Sequence, residues 1–202
     1  LLAVTFGMFL MASSTNLLMI FISLEMVSLT SYILAGFLTR NPRSSEAAFK
    51  YITYGAVASG TMLFGLSMLF GLTGTGDVVE ISNRLAEMFG RGNVYSLTVL
   101  VSITFILAGV GYKMASVPFH MWSPDVYEGA PIPITAFLSV ASKAAGFALF
   151  IRFFNSAFKS SDLLASVNWS LMLAIVSALT MTIGNFAALP QRNVKRLLAY
   201  SS

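Results

Sequence analysis

The 202-residue chain is 56% hydrophobic and 10% charged with a net charge of +4, and its mean hydropathy is +0.80. Soluble domains carry about 25% charged residues, so this is an integral membrane protein, and its positive charge matters for where it falls along the chain rather than for nucleic acid, which is not an expected partner. With no cysteine and a single histidine, the chain cannot form disulfides, thiolate or iron–sulfur sites, a haem pair or a zinc site of its own.

In chain order, the pattern predicts an all-α bundle of about seven helical spans in one membrane domain. Residues 1–12 form an apolar helix, followed by a polar break at Ser13, Ser14, Thr15 and Asn16 that offers N-capping side chains. The second span covers 17–38 and carries Glu25 near its middle; Arg40, Asn41, Pro42 and Arg43 form the turn that ends it. Ser44 or Ser45 is expected to cap a third span over 46–72, with Lys50 about one turn inside. The stretch from Val78 to Phe89 mixes Glu80, Arg84 and Glu87 with apolar residues and predicts a short amphipathic helix at the membrane surface.

A fourth span covers 95–127 and is broken between Lys113 and Pro118. Pro118 has no backbone N–H to give to the carbonyl of Met114 in a continuous helix. A fifth span covers 133–156 and carries Lys143 among Ala141, Ser142, Ala144, Ala145 and Gly146, small residues that permit close packing. A sixth span is expected over 164–189 and a seventh over 193–202. Arg152 and Lys159 can snorkel at a helix end, and Trp169 is expected near an interface. The chain opens Leu-Leu-Ala within an apolar run and reads as part of a longer protein.

Glu25, Lys113 and Lys143 are the leading candidate site residues. A charge at mid-bilayer costs roughly 3 kcal/mol or more, so buried ionisable groups in spans point to function before structure. A broken helix beside such a group is how many transporters build a midplane site. Glu25 lies about 20 Å from its helix end at the helical rise, too deep to reach water comfortably. Its depth matches that of Lys113, which makes a Glu25–Lys113 pair the expectation. Lys50 stands between a snorkelling and a transport role, and His120 is a weaker relay candidate, more naturally a polar anchor in the turn. Asp125 and Glu128 are expected at the membrane surface, bridging that turn.

Four stretches carry a resemblance: SLEMVSLTSYILAGF (23–37), SSEAAFKYITYGAVASG (44–60), GYKMASVPFHMWSPDVYEGAPIPITAFLSVASKAAGF (111–147) and LPQRNVKRLLAYSS (189–202). Together they resemble the subunit N family of bacterial NADH-quinone oxidoreductase, respiratory complex I, whose members are antiporter-like proton-translocating subunits. The resemblance implies a fold of inverted helix repeats, of which this chain holds most of the first. It also implies proton-transfer roles for Glu25, Lys113 and Lys143, matches Lys50 to a lysine of the family's sixth helix, and implies a cytoplasmic position for the Arg40 and Arg192 turns. No cofactor is expected in this chain; NADH, flavin, iron–sulfur clusters and quinone belong to partner subunits. The implied surroundings are the inner membrane, its lipid and other complex I membrane subunits, with protons as the cargo. A subunit of a multisubunit cation/proton antiporter or of a membrane-bound hydrogenase remains an alternative, as does a non-conducting scaffold. The Ala-Ser-Lys-Ala-Ala-Gly context of Lys143 favours subunit N, because His is usual at that position in the related subunits.

Overall fold

A computed structural model describes residues 1–90, 96–158 and 169–202, and every regular element among them is helical. Arg91, Tyr95, Lys159 and the expected span start at Leu164 lie outside the described residues. The described helices at Leu17–Ala35, Pro42–Thr73, Leu97–Met114, Ile132–Ala157 and Leu171–Ala188 are long and apolar enough to cross a membrane. This is a polytopic transmembrane bundle.

The first hairpin pairs α1 (Leu2–Ser13) with α2 (Leu17–Ala35). Asn16 caps α2, its side chain accepting from the Leu18 N–H at 3.0 Å. Around that cap the backbone meets the loop that ends at Val78: Leu17 N–H donates to Gly76 O and Val78 N–H to Thr15 O, both at 2.8 Å. The turn that leaves α2 differs from expectation. The next helix, α3 (Pro42–Thr73), is capped by Asn41 and begins with Pro42, not with a Ser44 or Ser45 cap. Proline suits the first helical position, where its missing N–H leaves no bond unmade. Ser44 instead donates to Ala35 O at 2.8 Å, tying the start of α3 to the end of α2. Gly74 closes α3 with φ of +66°, a conformation that favours glycine.

At 32 residues, α3 is about 48 Å long and exceeds the roughly 30 Å hydrocarbon core. Its far end leads into α4 (Val78–Gly90), whose first turn is capped by Asp77 Oδ1, which accepts from Val79 and Glu80. The amphipathic pattern has a simple outcome. Val78, Ile81 and Leu85 are buried while Val79 is exposed, and α4 packs against the helix Lys143–Ala157.

Helix α5 (Ser96–Met114) runs against α3, with Ser102 donating to the Gly65 carbonyl at 2.8 Å. It stops as the sequence requires. Lys113 and Met114 are still helical, and the break begins at Ala115, which takes a left-handed φ of 57°. The carbonyls freed there find other donors. Gly111 O accepts from Ser116 N–H at 2.9 Å, and Tyr112 O accepts from Ala115 N–H and the Trp122 indole, each at 3.0 Å. Inside a membrane such accounting is obligatory, because no lipid atom can supply the missing bond. Short helix α6 (Ser123–Gly129) follows, then α7 (Ile132–Phe137), a π-helical turn at Leu138–Ser142, and α8 (Lys143–Ala157). Last come α9 (Trp169–Ala188) and α10 (Val194–Ser201).

Candidate functional site

The broken helix and the π turn each deliver one lysine to the interior. Lys113, in the last turn of α5, is 2% exposed, and Lys143, the first residue after the π turn, is 6% exposed. π turns inside α-helices recur at functional sites because the extra residue re-aims the side chains beyond it. The stem of Lys113 packs beside Gly146 on α8, where an added Cβ would come within 3.4 Å of it.

Glu25 and Lys113, expected as a pair within direct or one-water reach, form no direct ion pair. The ammonium instead donates to Ser28 Oγ at 3.3 Å, one turn beyond Glu25 on α2. Glu25 remains near enough to act on Lys113 electrostatically, and its buried Oε1 has no hydrogen-bond partner. The two side chains therefore share a neighbourhood without touching. A hydroxyl takes the direct contact with the ammonium.

Lys143 donates to Ser202 Oγ at 2.7 Å and sits 5.6 Å above the ring centroid of Tyr127, a geometry in which a ring face attracts a cation. It opens onto a cavity of about 520 Å³ bounded by the helix break, α8, α9 and α10; Met114, His120, Thr180 and Ser202 also line this space. Lys113 does not line it. Thr180 fixes the broken segment by accepting from the Val117 N–H at 3.2 Å. His120 has a buried Nδ1 without a partner.

Lys50 belongs to a different constellation. It is paired with Glu46 and Asp125, each at 2.7 Å. Asp125 also binds Arg196, and Arg196 reaches Glu128 at 3.0 Å. Lys195 completes the set by donating to the carbonyls of Glu128 and Ala130 at the end of α6. Glu46, Lys50, Asp125, Glu128 and Arg196 line a cleft of about 170 Å³. The structure thus separates the candidates: Glu25 and Lys113 lie at the break, Lys143 and His120 on the cavity, and Lys50 in an ionic network joining α3, α6 and α10.

Three features escaped the sequence reading: the Ser28 hydroxyl at Lys113, the π turn before Lys143 and the position of Arg196. A signal existed for the first. Ser28 and Tyr32 follow Glu25 at i+3 and i+7, one face of one helix.

A transmembrane bundle with a lysine beside a broken helix, a second on the following span and a carboxylate near the first defines an antiporter-like membrane subunit. Residues 14–202 match the family described as NADH:quinone oxidoreductase/Mrp antiporter, TM, and the chain belongs to that family. Over its whole length it is 51% identical to NADH-quinone oxidoreductase subunit N of Anaeromyxobacter sp., covering 41% of that protein. Over 99% of its length it is 55% identical to subunit N 2 of Chloroherpeton thalassium, covering 39% of it. The chain therefore spans about two fifths of the length of these curated relatives. Among solved structures, a chain of respiratory complex I from Thermus thermophilus with bound aureothin matches with a TM-score of 0.79 and 36% identity, over 99% of this chain and 40% of that one. A chain of the archaeal membrane-bound sulfane sulfur reductase matches with a TM-score of 0.84 and 28% identity, over 99% and 39% of the respective chains. The Mrp complex of Dietzia sp. shares the fold, with a TM-score of 0.82 at 23% identity over 98% of this chain and 35% of that one.

Proposed function

We propose that the chain is part of a proton-translocating subunit N of an NADH-quinone oxidoreductase in the inner membrane, acting beside other membrane subunits of that complex. The observation that carries this reading is Lys113, 2% exposed at the end of a broken helix. An ammonium there has left water at a cost of several kcal/mol, and the surroundings supply a hydroxyl and a nearby carboxylate rather than a closed ion pair. Such a group can gain and lose a proton as its partners move. Glu25 tunes Lys113, and Lys143 is the next station, facing a cavity large enough for a file of waters at about 30 Å³ each. Lys50 and His120 hold lesser places, one in the ionic network and the other on the cavity wall.

No redox step falls to this chain. NADH, flavin, iron–sulfur clusters and quinone belong to partner subunits, and proton transfer here is driven by their electron transfer. Two ammonium groups repel at close range, so protonating one lysine lowers the proton affinity of the other and pushes charge onward. In closed membrane vesicles, Lys113→Ala in the assembled complex is expected to lose most proton pumping and to slow NADH oxidation with it. Full pumping by that variant, at normal assembly, would contradict the reading.

The relatives that favour an electron-transfer complex over a cation/proton antiporter are those sharing about half of the sequence. The family description covers both kinds of complex, and the likeness to the Dietzia sp. Mrp complex rests on fold alone. Sodium-dependent antiport without any NADH-driven pumping would reverse that preference.

A further inference from the structure

The Lys143 ammonium is met by two groups of unlike kind. Ser202 Oγ accepts from it at 2.7 Å, and the ring of Tyr127 lies beneath it, 5.6 Å away at the centroid. Both partners of the ring contact are out of water, Lys143 being 6% exposed and Tyr127 1%, the condition in which a ring face attracts a cation most strongly. The Tyr127 hydroxyl is buried and has no hydrogen-bond partner among the described residues. The ring is therefore the part of Tyr127 that meets the lysine.

That ring is fixed from several sides. Trp122 meets it edge-on, with centroids 6.1 Å apart, and Trp122 in turn stacks on Tyr51 of α3 at 4.6 Å. The Thr135 hydroxyl donates to the Tyr127 carbonyl at 3.2 Å. Helix α6 is tied to α10 because Asp125 and Glu128 both take Arg196. The ring from α6 and the Ser202 hydroxyl that follows α10 are thus held beside Lys143 by one ionic clamp.

A ring holds a lysine differently from a carboxylate. Lys50 is held by Glu46 and Asp125, and attraction between opposite full charges strengthens as water is excluded. A ring face acts through its quadrupole, more weakly, and on the charged form. A neutral amine can still hydrogen-bond to Ser202, but it loses the pull of the ring. A second cation lies close by, since the stem of Lys113 packs at Gly146, three residues along the same face of α8. His120 and Tyr200 share the cavity wall with Lys143, whereas Tyr127 does not line that cavity. A lysine held on the ring is therefore held back from the cavity, and the ring works against repulsion from Lys113.

We infer that Tyr127 is the positioning residue of Lys143: its ring holds the side chain while it carries a proton and lets it go toward the cavity once the proton has left. The inference rests on the reading of Lys143 as a proton carrier.

The test uses the full-length subunit in the assembled complex, with pumping in closed vesicles measured per assembled complex. Tyr127→Phe keeps the ring face and is expected to pump close to the unaltered rate. Tyr127→Leu removes the ring, so the ammonium should leave its held position about tenfold more readily, and pumping should fall by a similar factor. Leucine also loses the packing against Trp122, so the deciding series keeps the ring. Tyr127→Phe is made with one, two and three fluorines on the ring, which draw charge from its face at almost constant volume. Pumping is expected to fall step by step along that series, which a packing role would not produce. A fluorinated series as active as Tyr127→Phe, full pumping by Tyr127→Leu, or a loss in Tyr127→Phe as large as in Tyr127→Leu would each overturn the inference. Lys143→Ala in the same vesicles tests the underlying reading separately. Full pumping there removes Lys143 from the path, whereas lost pumping there beside a flat fluorine series removes only the role of Tyr127.

Discussion

Asp125 holds two cations at once: Oδ2 accepts from Lys50 Nζ at 2.7 Å while Oδ1 accepts from Arg196. One carboxylate on the short helix α6 therefore joins α3 to α10. The segment after the helix break is anchored by charge on this side and by the Trp122 indole on the other.

This anchor gives a pH dependence. Burial pushes the Asp125 carboxyl up, but hydrogen bonds from Lys50 and Arg196, with their charges, outweigh it and hold the group below its ordinary value. A depressed carboxyl contributes stability above its unfolded value of about 3.9, and that contribution is lost as pH falls through the lower folded value. The thermal midpoint of the purified protein should therefore drop as pH is lowered below about 4. Asp125→Asn should cost on the order of 1–2 kcal/mol at pH 7 and flatten that acid limb. An unchanged acid limb in the variant would show that Asp125 is not the group responsible.

Close approach of α6 to α3 depends on Gly129, where an added Cβ would run into the Arg43 carbonyl and the Ala47 side chain. Backbone cannot step aside as a flexible side chain can. Gly129→Ala should destabilise the protein by about 1–3 kcal/mol and lower the amount of assembled complex, as read by thermal unfolding and native gels. Wild-type thermal stability would show that α6 can move away from α3 freely.

Much of this architecture was legible in the sequence because membrane spans announce themselves by composition. The helix break was legible because Pro118 removes a donor. Boundaries at the α2–α3 turn were not, because Asn41, Ser44 and Ser45 are all credible caps and only the position of Pro42 decides between them. The depth of Glu25 and Lys113 was read from helical rise alone. Whether they touch depends on side-chain direction, and there Ser28 intervenes. The π turn before Lys143 has no local sequence mark, since Leu138–Ser142 is ordinary helix-compatible sequence. The link from Asp125 to Arg196 spans distant parts of the chain and emerges only once the helices are packed.

The central claim is that buried lysines carry protons, and Lys143 tests it most directly because the cavity reaches its side chain. The measurement is proton pumping in closed vesicles by the assembled complex, with NADH oxidation followed in parallel, for Lys143→Ala, Lys143→Arg and Lys143→His. Alanine removes the titrating group, and arginine keeps the charge but does not release its proton, so both should lose most pumping and slow NADH oxidation. Histidine titrates near neutral pH and should retain part of the activity. Full pumping by Lys143→Ala would contradict the account.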